Sequence, residues 1–362
     1  VALALARIVD PVEGMHAAIS QRWFKSVGSA GKPVRVTHNA IAAVVYASVR
    51  LGTDTVGLAL NSAGTGQPAT RVRLAGIANG LWGDTLGRYE DELGIEMSIR
   101  SQDGRRLTPT PERTISLPGA TDHVVVLVHG LFDNDGCWRG SDDGGGLLQA
   151  VAAHPALTPV TVSYNSGLAV AANGKKLSAL LEELVADWPV PVRSIAFLGH
   201  SLGGLVIRHA CATGISLHHD WAHKTSSVIT LGSPHLGSHL ESAAATAARA
   251  LAVAAETRPL ARFIAGRSQG IKDLLPGTPH PELPPRIAHH FVAGVVTREP
   301  AHPIGRLVGD WIVRPNSATG GRRLRPSTAS VLGGLGHSAL RNDPASVSLV
   351  LELLAPTDAG KS

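Results

Sequence analysis

Five short, largely apolar runs constrain the fold more than anything else in this chain: Val124–Val128, Val160–Tyr164, Ile195–Leu198, Val228–Leu231 and Phe291–Val296. A strand with one face in water alternates polar and apolar residues, whereas a strand apolar throughout must be covered on both faces. Helically patterned stretches, Leu177–Trp188 and Leu202–Cys211, lie between these runs. Buried strands separated by helices predict an α/β domain: a mostly parallel central sheet with helices on both faces. The reading assigns residues 95–357 to this one domain. Asp103-Gly104, between Met97–Arg100 and Arg106–Thr108, is the strongest short-range hairpin signal. The alanine-rich stretch Ala243–Ala255 reads as a helix.

Residues 1–94 read as an N-terminal helical appendage without chemistry of its own. Asp10, Pro11 and Glu13 make a helix start, and Val12, Met15, Ile19 and Trp23 follow as one apolar stripe. A second helix is expected from a Thr37 cap, with Ile41, Val44, Val45 and Val49 on one face. A third is expected through Trp82, Leu86 and Tyr89, stopped by Gly94.

Composition narrows the class. With 44% apolar and 17% charged residues, the 362-residue chain is globular rather than disordered. Two cysteines, Cys137 and Cys211, exclude a disulfide framework and a multi-cysteine zinc site. No apolar run reaches the roughly 18 residues of a membrane-spanning helix. The first ten residues lack the basic region and long apolar run of a signal peptide, so the cytoplasm is the default expectation. The chain begins with Val rather than Met, which leaves localisation open.

The net charge of +5 is local. Arg286, Arg298, Arg306, Arg314, Arg322, Arg323 and Arg325 stand against only Glu299 and Asp310 in the same stretch, which accounts for the whole excess. Such a run is most simply a solvated face, with contact to an anionic lipid surface or anionic substrate as the alternative. Nucleic acid is not an expected partner, because no aromatic residue interleaves the Arg322–Arg325 cluster as a stacking platform would.

The chemistry centres on Gly199-His200-Ser201-Leu202-Gly203, which follows an expected strand and opens an expected helix. That is the context of a nucleophile elbow: small flanking residues permit a sharp turn that exposes the serine hydroxyl. A serine hydroxyl needs a base, and the base needs an acid to orient it. Among 17 histidines, position selects His337, which follows Val331-Leu332 and precedes a final helix through Leu349–Leu354. Asp310 is the preferred acid, with Glu299 and Asp343 as rivals. Acyl transfer also needs donors for an oxyanion. The N–H of Leu202, next to the nucleophile, is one candidate, and the N–H of Leu131, after the strand at 124–128, is the second. His129 is expected to hold that loop.

Taken together, VVLVHGL, GHSLGG, LGSPHLGS, GDWIV and GLGH resemble the lipase-like branch of the α/β-hydrolase superfamily. More narrowly, they are similar to bacterial relatives of GPI inositol-deacylase-type and triacylglycerol lipases. The resemblance covers about 122–355. It implies an α/β-hydrolase fold, a Ser201–Asp310–His337 triad, oxyanion donors at Leu131 and Leu202, and a helical lid over about 235–285. The sequence departs from the pattern in carrying Trp311 where such proteins often have a small or aliphatic residue. The implied activity is cofactor-free cleavage of a carboxylic ester of a lipid or other apolar acyl group. Thioester or amide cleavage, or a non-catalytic lipid-binding module on the same scaffold, are the alternatives.

Other clusters read as structural. His218-His219-Asp220 with His223 is expected to be a solvated loop rather than a metal site. His235 and His239 either line a pocket mouth or support the fold, and Cys211 is expected to pack inside. Gly144-Gly145-Gly146 lacks the Lys-Ser/Thr of a phosphate loop.

Overall fold

The computed structural model describes residues 13–22, 75–80, 83–84, 94–108, 115–139, 146–239 and 268–355, with positions 39, 241–242, 246 and 252. Its centre is a seven-stranded sheet: β1 (Ser98–Arg100), β2 (His123–Val128), β3 (Thr158–Ser163), β4 (Ser194–His200), β5 (Thr225–Leu231), β6 (Ala288–Val295) and β7 (Thr328–Gly333). The order is β1-β3-β2-β4-β5-β6-β7, with every pairing parallel except the antiparallel edge β1–β3. Helices are α1 (Leu147–Ala152), α2 (Val170–Ala186), α3 (Leu202–Ser216), α4 (Asp220–His223), α5 (Gln269–Lys272), α6 (Pro303–Val308), α7 (Pro315–Ala318) and α8 (Pro344–Leu354). Strand order and connectivity make this an α/β-hydrolase fold.

The continuous apolar runs have their cause in two cores. Val124, Val126 and Val128 of β2, with Ile195 and Phe197 of β4, face a cluster completed by Leu177, Leu181 and Leu205 of α2 and α3. The intervening Val125, Leu127 and Leu198 face the opposite side, where Leu147 and Val151 of α1 and Val350 and Leu354 of α8 close over them. Each central strand thus buries both sets of alternating side chains, at roughly 1.5–3 kcal/mol per large residue.

Several expectations are corrected. Asp103-Gly104 does form a tight turn, with Leu107 N–H donating to Ile99 O at 2.8 Å, but only one bridge, Arg100 to Arg106, links its arms. The main partner of β1 is β3, in register Ser98 to Ser163, because that pairing extends a buried sheet and the local one does not. The segment 218–223 is not a solvated loop: α4 buries Trp221 completely, and His219 is hydrogen-bonded to Ser178 Oγ at 3.0 Å. Residues 13–22 are helical, and a helix not anticipated occupies 75–80. The helices expected from Thr37 and through Leu86 and Tyr89 lie outside the described residues, as do Gly144-Gly145 and most of the alanine-rich stretch. No described helix is long and apolar enough to cross a membrane. Both cysteines are free, and burial pushes the Cys211 thiol up to about 12.

Candidate active site

β4 runs into Ser201, and α3 begins one residue later. Ser201 has φ 53° and ψ −124°, a conformation costly for a residue with a side chain, and it is buried. The glycines of the motif make the turn sterically feasible. A Cβ on Gly203 would lie 2.2 Å from Val128 O, and one on Gly199 would lie 2.7 Å from Gly204 Cα. The start of α3 therefore presses directly on the end of β2. Ser201 N–H donates to Leu231 O at 2.8 Å, fixing the serine beside the end of β5.

The acid and the histidine arrive from the next two crossovers. After β6 and α6 the chain turns at Gly309-Asp310-Trp311, where Gly309 and Trp311 both have positive φ. Asp310 is 1% exposed, and its Oδ1 accepts from the N–H groups of Ile312 (3.0 Å) and Val313 (2.8 Å). Its Oδ2 lies 2.6 Å from His337 Nδ1. His337, which opens the 3-10 helix His337–Arg341 after β7, is 8% exposed. Its backbone is held at both ends, the N–H donating to Asp310 O at 3.0 Å and the carbonyl accepting from His200 Nε2 at 3.0 Å. A carboxylate can only accept, so Nδ1 carries the proton and Nε2 keeps a free lone pair. Of the rival acids, exposed Glu299 makes no contact with His337, while Asp343 caps α8 by accepting from Ala345 N–H.

The three residues converge on Gly232, the residue after β5. A Cβ there would lie 3.1 Å from both Asp310 Oδ2 and His337 Cε1, and Leu231 is the residue that holds Ser201. Ser201 Oγ itself makes no hydrogen bond among the described residues, an arrangement common in unliganded sites. On the other side, a Cβ on Gly130 would lie 2.9 Å from Ser201 Cβ, so the loop carrying Leu131 passes against the serine. The N–H groups of Leu131 and Leu202 have no acceptor among the described residues. His129 is buried beneath this loop, stacked on Tyr164 with ring centroids 4.2 Å apart, and Tyr164 Oη donates to the His129 carbonyl at 2.7 Å.

Two supports were not anticipated from the sequence. His200, inside the elbow motif, holds the main chain of His337, and burial, then the neighbouring His337, pushes its pKa well below the usual value. Arg341, at the end of the His337 3-10 helix, donates from Nη1 to Asp133 Oδ2 at 2.7 Å, tying the histidine loop to the Leu131 loop. His235 takes a structural place: it is buried against Phe291 and bonded to Arg208 and Thr230. No group of three or more His, Cys, Asp or Glu that could hold a metal occurs among the described residues.

Residues 119–275 match the family described as "Putative serine esterase (DUF676)". The matched segment carries Leu131, Ser201 and Leu202. Asp310 and His337 lie beyond it. No curated protein matches the sequence. Among solved structures, a Bacillus licheniformis lipase is similar at 20% identity and TM-score 0.46, over 72% of this chain and 97% of its own. A thioesterase from the prodiginine pathway of Streptomyces coelicolor is similar at 17% identity and TM-score 0.41, over 66% of this chain and 91% of its own. A thermophilic esterase from Thermogutta terrifontis is similar at 13% identity and TM-score 0.40, over 72% and 92% respectively. At this level of similarity nothing about substrate transfers to the present chain.

Proposed function

We propose that this protein is a serine hydrolase that cleaves carboxylic esters of apolar acyl groups, with Ser201 as nucleophile, His337 as base and Asp310 as its orienting acid. The observation that carries the proposal is the buried 2.6 Å bond between Asp310 and His337, brought by Gly232 against the elbow that bears Ser201. Ser201 Oγ attacks the acyl carbonyl carbon while its proton passes to His337 Nε2. Asp310 stabilises the imidazolium that forms. The N–H groups of Leu131 and Leu202 receive the oxyanion, aided by the positive end of α3. Collapse expels the alcohol, which takes the proton from His337. A water molecule then repeats the sequence on the acyl-enzyme and releases the acid.

The apolar preference rests on the rim. Ile304, Leu307, Trp311 and Ile312, which lead up to and follow Asp310, are exposed, as is Phe132 beside Leu131, and Trp311 reaches 65%. The lid belongs to the same reading. Ser238 N–H donates to Leu274 O at 2.7 Å, so the chain leaves and re-enters the scaffold at one point, and Ser238 Oγ donates to Ile312 O beside the acid. Five apolar residues of that segment, Leu251, Val253, Leu260, Phe263 and Ile264, lie outside the described residues.

Hydrolysis of p-nitrophenyl esters from acetate to palmitate tests the proposal. Activity should rise with chain length beyond acetate, and Ser201→Ala or His337→Ala should each lower kcat by about 10⁴-fold or more. A fluorophosphonate should label wild type but not Ser201→Ala. Silence towards every ester together with failure to label would sink the reading.

A further inference from the structure

The arginine-rich stretch has a structural counterpart that the ester chemistry does not use. A cavity of about 490 Å³ opens around the first residues of β6 and the residue before β7, with Arg208, His289, Arg323, Arg325 and Glu282 among its lining residues. In a parallel sheet this is the opposite edge from the strand ends that carry Ser201 and Asp310. Arg208, seven residues after Ser201 on α3, lies roughly 10 Å further along that helix.

The charges are unbalanced. Arg208 is 2% exposed, and among the described residues its guanidinium donates only to neutral acceptors: Pro281 O, His280 O and His235 Nδ1. Arg323 and Arg325 are exposed at the cavity, and their guanidinium groups make no hydrogen bond or ion pair among the described residues. Among the described residues, Glu282 is the one carboxylate in the lining, against three arginines. His289 also lines the cavity, its ring packed edge-on against Phe291 with centroids 4.2 Å apart. Phe291 and Leu324 supply apolar wall. A volume of this size is in the range that holds small molecules rather than a bare ion.

We infer that this cavity is a second binding site, for a small organic anion that combines a phosphate or carboxylate group with an apolar body. Arg323 and Arg325 grip the anionic group as forked donors, and the apolar body lies against Phe291 and Leu324. The inference stands apart from the hydrolase reading, since it shares no residue with the triad.

Calorimetric titration of the full chain with phenyl phosphate tests it. One saturable site per chain is expected, weakening as salt is added. The combined Arg323→Ala, Arg325→Ala variant should bind roughly tenfold more weakly or worse. Its thermal unfolding and its ester turnover should match wild type. Inorganic phosphate should bind more weakly than phenyl phosphate, and equal binding would overturn the apolar half of the inference. No saturable binding, or unchanged affinity in the variant, overturns the site. So does loss of ester turnover in that variant, which would assign the arginines to the ester chemistry. Finally, if phosphatidylglycerol vesicles bind the chain through the same arginines while phenyl phosphate does not, the stretch meets a membrane surface and the cavity is overturned.

Discussion

At the C-terminal edge of the sheet His337 meets a carboxylate; on the flank of α3 His235 meets a guanidinium. Both imidazoles are buried, and each bonds its neighbour through Nδ1. Asp310 can only accept, so His337 carries its proton on Nδ1 and keeps a lone pair on Nε2. Arg208 can only donate, so His235 Nδ1 accepts, and Nε2 carries the proton towards Thr230 Oγ1 at 3.1 Å. Burial first, and then Arg208, pushes the His235 pKa well below the usual value. One histidine faces an acceptor and the other a donor, so the two carry their protons on opposite ring nitrogens. Of the four described non-glycine residues with positive φ, three, Ser201, Phe132 and Trp311, surround the first site, and the fourth, His218, follows α3.

The largest effect should come from making His337 resemble His235. In Asp310→Asn the amide oxygen can still accept from Ile312 and Val313, but its NH₂ then faces His337 and forces Nδ1 to accept. Nε2 becomes protonated and useless as a base. A kcat loss of about 10⁴-fold is expected, with little change in KM or in thermal stability. A loss below tenfold in steady-state kinetics would remove Asp310 from the triad.

Both halves of the comparison differ in how far the sequence reveals them. β2 was legible because from Val124 on both its faces are buried and every position is therefore apolar, whereas β7 (TASVLG), a half-exposed edge, announces itself only at Val331-Leu332. The partner of β1 was not legible, because a local turn signal competes with a strand some sixty residues away and only tertiary burial decides. Ser201, Asp310 and His337 could be nominated because a nucleophile elbow imposes an order along the chain. Arg341 and Asp133 could not, since a pair 208 residues apart leaves no period or motif. His200 stood in plain view within the elbow motif, but its role depends on a carbonyl that only the fold brings near.

That hidden pair sharpens the comparison further. Arg341 is nearly buried and Asp133 partly so, and their bond links the loop of His337 to the loop of Leu131. A charged hydrogen bond of this kind contributes roughly 1.5–3 kcal/mol. Arg341→Met should therefore lower kcat by about tenfold to a hundredfold on a given ester, with KM changed less. Asp133→Asn should do the same. Because each single change breaks the same bond, the double variant should be little worse than either, a coupling that a double-mutant cycle measures. Additive losses would mean that the two residues act separately.

A further effect belongs to the second region and appears in stability rather than in turnover. Burial, with Arg208 close by, lowers the His289 pKa to about 3, and burial with His209 and Arg208 lowers that of His280 to about 4. In the unfolded chain both titrate near 6.5. Above that pH neither state binds the proton, so stability does not depend on these groups. Below it the unfolded chain takes up protons that the folded chain refuses, and stability falls as the pH falls from about 6.5 towards the folded values. His289 alone steepens the fall by up to about 1.4 kcal/mol per pH unit. Denaturant unfolding of wild type and His289→Gln between pH 7 and pH 4 should show two curves that draw together as the pH drops. Curves that stay parallel would mean that His289 accepts its proton in the folded protein, and that Arg208 does not hold this region neutral.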